Sequence, residues 1–512
     1  MATSSYQSGY QIPGVYVTQT NTGLTSIGQT SLNIALVVDQ VASGTMTDTF
    51  FVAGSGGNNL PIGVLTMPMV NTTSGVATVT WPSGSTTVTG VQGTDYVFYT
   101  DSYGITSIST SGLSTSNPPF GNVSVTYQHG FGAYGTYTNQ NSVINTVGVP
   151  VSGTTIINPA SLAAQLAFQN GANSVTIIPV TQCASSGSAV YTGNATVSDW
   201  INAFTIVSGN RNKSFVSNTH GIDVVVPMYG FTASGALLAG GSGTVASGIV
   251  NYINTQAANG TYQRVFAGVD GTSANVTASG MQALASGFNS TRITLAFPGV
   301  LTYNPGATSY NNYISTSFQI PGTYLAPALA GLFVSQTPDV STPITNKIVN
   351  GFADIPNQIS SVDARASYLP YGVLVARKKR DGNIWVLHGI TTKTTNWVDA
   401  EISINAIGDR LARLIGTDLN NSYLVGGPLN KTTIAATLGN VQGTLTNALS
   451  NGLIQGYQNL SVTNSQATPT TLNVTFQYAP TYPLNYIQAT FSLNTNTGQI
   501  VYINAQSNTA TY

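Results

Sequence analysis

Helix and strand patterns alternate four times between residues 132 and 345, and this alternation most constrains the fold. Asn158-Pro159 predicts a helix start, because proline is favoured at the first helical position, and an apolar strand follows at 175–180. Three more helices with apolar faces precede three short apolar strands, at 222–226, 264–269 and 293–297. Strands joined through helices pair in parallel by right-handed crossovers. The pattern therefore predicts an α/β layered domain with its sheet covered on both faces.

The regions before and after this domain have different patterns. Residues 45–131 consist of short alternating runs, such as 76–81, 96–99 and 123–127, separated by Gly, Pro and Ser turns. They predict a β-sandwich or barrel inserted after a first α/β strand within 29–44. After 346, an Asp-Gly hairpin, two amphipathic helices and alternating strands at 472–478 and 487–493 predict a C-terminal α+β core domain reaching 494. The predicted fold class is α+β and multidomain.

Both ends of the chain carry a short strand-forming run on a polar tether. In the N-terminal segment 1–28 the run is Pro13, Gly14, Val15, Tyr16 and Val17; in the C-terminal segment 495–512 it is Ile500, Val501, Tyr502 and Ile503. These runs have too little apolar surface to fold alone. The N-terminal segment is therefore either disordered or an arm that adds a strand to a sheet elsewhere.

Charge is scarce and unevenly placed. The chain has 14 basic and 15 acidic residues in 512, with none of Asp, Glu, Lys, Arg or His after Lys431. Catalysis depends mostly on such side chains, so the composition favours a structural protein without a cofactor. A net charge of −1 argues against nucleic acid as the main partner. The first residues lack the pattern of a secretory signal, and no apolar run approaches the ~18 residues of a membrane span.

The residues that could carry chemistry are scattered. His129, His220 and His388 are isolated in sequence, and no metal-ligand spacing or nucleophile motif is present. The glycine-rich segment 241–246 fits a dinucleotide fingerprint only loosely, because the preceding residues form a poor strand. Asp399, Glu401 and Asp409 lie near Arg410 and Arg413, which predicts a solvated helix face or interface ion pairs rather than a catalytic carboxylate pair.

Arg377, Lys378, Lys379 and Arg380 form the densest charge cluster, at the tip of the predicted hairpin. One interpretation is a solvated tip that protects apolar strands from edge pairing. The other is an electrostatic contact with an acidic partner. Ten of the 14 basic residues lie within 347–431, against seven acids, which gives this region a mild positive excess. Aromatic residues are not interleaved with the basic ones, so single-stranded nucleic acid is not the expected partner.

Several segments in this order resemble the tail sheath proteins of contractile-tailed bacteriophages and related injection machines. Residues 12–17 (IPGVYV) are similar to the family's N-terminal arm, and 94–127 to its inserted β-rich domain. The other similar segments are 163–180 (AAQLAFQNGANSVTIIPV), 324–332 (YLAPALAGL), 371–392 (YGVLVARKKRDGNIWVLHGITT), 405–415 and 451–454 (NGLI). The resemblance spans nearly the whole chain.

The resemblance implies a structural virion protein. Copies would form hexameric rings stacked helically around an inner tail tube, joined to baseplate and tail terminator proteins and assembled in the host cytoplasm. The arm residues would exchange strands between copies, and Arg377 to Arg380 would face the tube. Contraction would drive the tube through the host envelope, with no nucleic acid contact and no direct membrane insertion by the sheath itself.

Two other functions remain open on the residues alone. A secreted β-rich adhesin or surface-layer protein would explain the Thr, Ser, Asn and Gly content, but the α/β pattern and the start of the chain argue against it. A hydrolase acting on a surface polymer would need a nucleophile or carboxylate pair converging with a histidine, and three scattered histidines do not indicate one.

Overall fold

The computed structural model describes residues 32–485 with gaps at 40–43, 53–60, 65–76, 84, 93, 101–105, 111–118, 120, 130–134, 153, 157, 181–196, 198–199, 202, 205–221, 232–243, 272–276, 305–316, 337–340 and 423. The predicted arm strands, Pro13 to Val17 and Ile500 to Ile503, lie outside the described residues. So do the strand predicted at 487–493 and His220.

The described strands are β1 (Ile34–Asp39), β2 (Gly44–Val52), β3 (Pro61–Val64), β4 (Thr78–Ser83), β5 (Thr86–Thr89), β6 (Val97–Thr100), β7 (Thr106–Ser109), β8 (Gly121–His129), β9 (Gly135–Tyr137), β10 (Val151–Ser152), β11 (Thr155–Ile156), β12 (Val175–Val180), β13 (Val224–Pro227), β14 (Arg264–Gly268), β15 (Ile293–Phe297), β16 (Val300–Tyr303), β17 (Phe318–Pro321), β18 (Ile348–Val349), β19 (Phe352–Asp354), β20 (Val373–Lys378), β21 (Ile384–Val386), β22 (Ile454–Asn464) and β23 (Leu472–Pro480). The helices are α1 (Gln140–Val147), α2 (Pro159–Gln169), α3 (Val245–Ala258), α4 (Ala278–Phe288), α5 (Leu325–Val334), α6 (Trp397–Ala400), α7 (Ile402–Asn421) and α8 (Lys431–Ser450), with short helical turns at Gly322–Tyr324 and within 361–371.

A nine-stranded sheet forms the centre of the molecule, in the order β18-β21-β20-β15-β14-β13-β1-β12-β9. The six strands from β20 to β12 run parallel, and β9 and β21 pair antiparallel with the two ends of that set. This confirms the parallel sheet predicted from the helix and strand alternation. Parallel pairing follows because a helix between two strands returns the chain to the starting edge of the sheet.

Both faces of this sheet are buried, as its unbroken apolar strands predict. Along β1, Ile34, Leu36 and Val38 contact one core, which includes α2 and α5, while Ala35 and Val37 contact the other, which includes α3 and α4. The contact between α2 and α5 is close, because a Cβ placed on Gly331 would lie 2.2 Å from the carbonyl oxygen of Ala167.

The inserted region folds around a core of its own. β2, β8, β4 and β5 form one antiparallel sheet, and β3, β7 and β6 form a second. Side chains from both sheets share one apolar cluster, with Trp81, Tyr96 and Tyr127 almost fully buried. Two sheets around one core make a small sandwich, one of the two forms predicted for 45–131, and it interrupts the α/β sheet between β1 and β9.

The central sheet continues past the domain boundary predicted at 345/346. β20 pairs in parallel with β15, with Leu295, Ala296 and Phe297 opposite 373–375, and β21 and β18 follow at the edge. The sequence indicated the β20–β21 hairpin but not its partner, since hairpin turns specify only local pairing. The boundary at 346 therefore does not separate two sheets.

The C-terminal part adds a second, smaller unit. Helices α7 and α8 pack through Ile407, Leu411 and Ile415 of α7 and Val441 and Leu445 of α8. The N-terminal end of α7 also contributes Ile402 and Ala406 to the core under the central sheet. One helix thus belongs to both cores and links the sheet to the C-terminal unit.

Candidate assembly interface

The β22–β23 hairpin contains β22, the longest of the described strands. The two strands pair antiparallel over 11 and 9 residues, from Ile454 opposite Pro480 to Asn464 opposite Leu472. The register shifts between Ile454 and Gly456 and again between Gln458 and Ser461, which marks two irregularities in β22. Such bulges bend a strand and increase its twist.

One face of the hairpin packs on the helices and the other is exposed. The partly buried side chains contacting the α7–α8 core are Tyr457, Leu460, Val474, Phe476 and Tyr478. The residues between them in β23, Asn473, Thr475 and Gln477, are exposed. This confirms the alternation predicted for 472–478, in which every second side chain faces the core.

Both outer edges of the hairpin lack a partner strand among the described residues, since the sheet contains β22 and β23 alone. An unpaired edge presents a row of backbone N–H and C=O groups that can pair with another chain, and proteins commonly block such edges with lysine or proline. Neither strand contains a charged residue, and proline occurs only at the end of β23, at Pro480. Among the described residues, the hairpin therefore has two unpaired edges without electrostatic protection.

Sequence reasoning missed β22. Its apolar residues Ile454, Tyr457, Leu460 and Val462 are spaced three, three and two apart, not in strict alternation. The two register shifts cause this spacing, because each extra residue changes which side chains face the core. The alternating pattern of the following segment, 472–478, and the turn residues between them are the signals that could have indicated a strand here.

A buried ion-pair cluster joins α7 to the central sheet. Asp409 Oδ2 accepts a hydrogen bond from Arg264 Nη2 at 2.7 Å, and its Oδ1 accepts from Arg292 Nε at 3.0 Å and Nη2 at 2.7 Å. Arg413, one helical turn further, pairs with Asp223 and donates to the Tyr262 carbonyl. The sheet residues of this cluster lie at or just before the first residues of β13, β14 and β15.

Of the two alternatives predicted for Asp409, the solvated helix face was wrong, and the ion pairs that form join α7 to the sheet of the same chain. Asp409 is 6% exposed and Arg264 is 5% exposed. Burial lowers the pKa of Arg264, although the Asp409 carboxylate opposes that shift, and burial lowers the pKa of Arg413 to about 10. Arginine guanidinium groups stay charged in proteins, so the cluster consists of paired charges. The sequence showed the charges of α7 but not the arginines on distant strands that cover them.

Some of the basic side chains at the hairpin tip are held by contacts with other residues of the chain. Lys378 Nζ lies 3.2 Å from Asp354 Oδ1, and Lys379 Nζ donates to Asn346 Oδ1 at 2.6 Å while lying 4.0 Å from the centroid of the Trp385 ring. Arg377 is half-buried and Arg380 is exposed beside the turn. The two lysines are thus held in place, and the tip presents a shallow cavity lined by basic side chains and two aspartates.

The other candidate residues do not converge on a site. His388 Nε2 lies 2.8 Å from Glu401 Oε2, in a structural pair, while His129 is at the end of β8 in the sandwich. Of segment 241–246, the described part starts at Thr244, which caps α3 with Ser247. No cluster of metal-ligating side chains and no helix suited to crossing a membrane occurs in the part of the chain that the structure describes.

The architecture is that of contractile sheath proteins. The chain is similar to the helical sheath of the anti-feeding prophage in its contracted state, with a TM-score of 0.50 and 12% identity over 95% of this chain and 100% of that one. It is also similar to the PVC sheath complex of an extracellular contractile injection system in its contracted state, with a TM-score of 0.50 and 10% identity over 96% of this chain and 99% of that one. At these identities the likeness establishes the fold, and it confirms the predicted mixed α+β class.

The C-terminal unit can be assigned more closely. Residues 394–494 match the family described as phage tail sheath C-terminal domain. The tail sheath protein of Mycobacterium phage Bxz1 is 26% identical over 267 residues, which cover 52% of this chain and 44% of that protein. The chain thus matches less than half the length of this curated relative. The predicted resemblance to tail sheath proteins is confirmed, and the matched domain contains α7, α8 and the β22–β23 hairpin.

Proposed function

We propose that this protein is the structural subunit of a contractile tail sheath. Copies polymerise as stacked hexameric rings around an inner tail tube, and contraction drives the tube through the host envelope. The subunit is a virion tail component assembled in the host cytoplasm. It uses no cofactor and performs no catalysis, and its other contacts are with baseplate and tail terminator proteins, not with nucleic acid or the membrane interior.

The observation that carries this proposal is that both edges of the β22–β23 hairpin are uncharged and that no described strand pairs with them. A two-stranded ribbon alone is marginally stable in water, and each added strand supplies backbone hydrogen bonds without needing charge. In the run at 13–17, Val15 and Val17 alternate as in a short strand, and the run at 500–503 is four consecutive apolar residues. We infer that the arms of neighbouring copies add these runs to the two edges of the hairpin.

The polar segments that connect the two arm strands to the rest of the chain are long enough for such an exchange. About ten extended residues span roughly 30 Å, so a polar tether can follow a neighbour while its strand stays paired. Within each copy, α7 joins the hairpin unit to the central sheet through two apolar cores and the Asp409 cluster. Contraction would then be a rigid-body rearrangement of whole subunits, with the exchanged arms keeping the net connected.

Arm deletions test the exchange. We expect a chain without residues 1–20, or one ending at 494, to keep its circular dichroism spectrum and thermal transition but to stay monomeric, because both segments lie outside the described cores. Polymerisation is measured by sedimentation and negative-stain microscopy beside the full chain. Normal tubes from either truncation would refute arm exchange.

The basic hairpin is proposed to face an acidic surface on the inner tube. Its support is the exposed position of Arg380 and the concentration of basic residues in this region of a chain with little charge elsewhere. A positive patch accelerates association with a negative surface, and salt screens the effect over about 8–10 Å.

Charge removal tests the contact with the tube. We expect Arg377→Gln with Arg380→Gln to slow sheath growth on purified tubes about tenfold at low salt, with the difference shrinking as salt rises. Lys431→Gln, which removes a charge from an exposed residue at the start of α8, is the matched control and should change little. An unchanged growth rate of the double variant at low salt would count against this orientation.

A further inference from the structure

Five residues that follow β23, 481–485, form a strap between the hairpin and the last described position. The backbone N–H of Thr481 donates to the Leu453 carbonyl at 3.2 Å, and its hydroxyl donates to the Gly452 carbonyl at 2.6 Å. Because Leu453 directly precedes β22, these two bonds fix the start of the strap at the root of the hairpin.

The far end of the strap is fixed by Asn485. Its Nδ2 donates to Glu401 Oε2 at 3.0 Å and lies 3.2 Å from His388 Nε2. Glu401 is 3% exposed, and His388 Nε2 lies 2.8 Å from the same carboxylate oxygen. A buried carboxylate needs hydrogen-bond donors, so the strap end satisfies a group that the fold has already removed from water.

An aromatic contact holds the middle of the strap. The ring of Tyr482 lies 5.3 Å from the ring of Trp397, centroid to centroid, with the planes inclined by 55°. Trp397 begins α6, the short helix that precedes α7, and stays 63% exposed. The strap is thus attached at its start to the base of the hairpin, in its middle to α6, and at its end to His388 and Glu401.

We propose that the strap anchors the chain ahead of the C-terminal arm, and that His388, Glu401, Asn485 and Trp397 are positioning residues that fix where the chain continues toward that arm. This inference rests on the proposed arm exchange and names the residues that prepare it. These side chains order the segment that leads to the arm before assembly, so that less conformational entropy is lost when the arm strand pairs.

Mobility of the strap in the unassembled chain tests the anchor directly. Leu484 is the reporter position, because its side chain is 78% exposed and adjoins Asn485. A nitroxide is attached to Leu484→Cys in full-length protein carrying Cys183→Ser, and its motion is measured by electron paramagnetic resonance at a concentration below polymerisation. We expect Asn485→Ala to shorten the rotational correlation time of the label severalfold, and Trp397→Ala to act in the same direction.

The matched control removes an amide hydrogen bond elsewhere on the same hairpin. Gln458 Nε2 donates to Gln477 Oε1 at 3.1 Å on an exposed face, and Gln458→Ala should leave the label motion unchanged. If Asn485→Ala fails to fold, Trp397→Ala carries the measurement, since the Trp397 ring is exposed. A label that moves no faster in the variants than in the parent would overturn the anchor.

The link to assembly has its own readout. We expect Asn485→Ala, without a label, to raise the critical concentration for polymerisation about tenfold, which corresponds to about 1.4 kcal/mol. A mobile strap with an unchanged critical concentration would also overturn the proposal. If the parent chain does not polymerise, the sheath function fails, and the label motion alone then decides whether the strap is anchored.

Discussion

At the scale of single residues, Asp409 shows that one buried carboxylate can connect distant parts of the fold in a chain with few charged residues. One carboxylate accepts three hydrogen bonds from two arginines, one at the first residue of β14 and one just before β15. In a buried site, such a pair contributes less net stability than its geometry indicates, because both partners lose their hydration. Removing one partner is costly, since it leaves the other charge buried and uncompensated.

We expect Asp409→Asn to lower the free energy of unfolding by about 3–5 kcal/mol, because Arg264 and Arg292 would then face a neutral amide in a buried site. Denaturant unfolding followed by circular dichroism measures the loss. Asp354→Asn is the control: Asp354 pairs with Lys378 but its side chain is 53% exposed, so the change should cost under about 1 kcal/mol. Equal losses in the two variants would mean that the cluster does not join α7 to the sheet.

The sequence could indicate that Asp409 belongs to a charged helix face but not that this face is buried. Its partners Arg264 and Arg292 lie 145 and 117 residues away, and only the folded sheet brings them together. The hairpin lysines illustrate the opposite case. Their turn was predictable from Asp381-Gly382 because that signal is local, with Gly382 at φ 85°.

At the scale of elements, the β22–β23 hairpin carries the functional argument. The regular alternation of β23 could be predicted from 472–478, whereas the two register shifts hid β22. The helices α7 and α8 were predictable because their apolar residues follow the helical period throughout. Strands with register shifts are therefore the elements that periodicity identifies least well.

Blocking one edge of this hairpin tests its role as an acceptor. We expect Ser461→Lys with Thr463→Lys to leave the subunit folded but unable to polymerise, because two exposed ammonium groups on β22 oppose the pairing of another strand. The same charges are added to the exposed side of α8 by Gln442→Lys with Asn447→Lys as a control. Sedimentation compares the two, and equal polymerisation would exclude β22 as an acceptor edge.

At the scale of the whole molecule, the subunit is a covered parallel sheet with two additions, a sandwich inserted after β1 and a helical unit that presents the hairpin. The layered α/β architecture could be predicted from the order of helices and strands, because two strands joined through a helix pair in parallel. The continuation of the sheet through β20 could not be predicted from this order, because it depends on which edge of the sheet the later β20–β21 hairpin pairs with.

We infer that the chain ends of neighbouring copies complete the β22–β23 sheet, and a cryo-EM reconstruction of the polymerised protein would show this sheet itself. We expect two additional strands beside the hairpin, one from residues 13–17 and one from residues 500–503, each traced to a neighbouring copy. Density in which both hairpin edges stay unpaired, or are covered by the segments of the same chain, would contradict it.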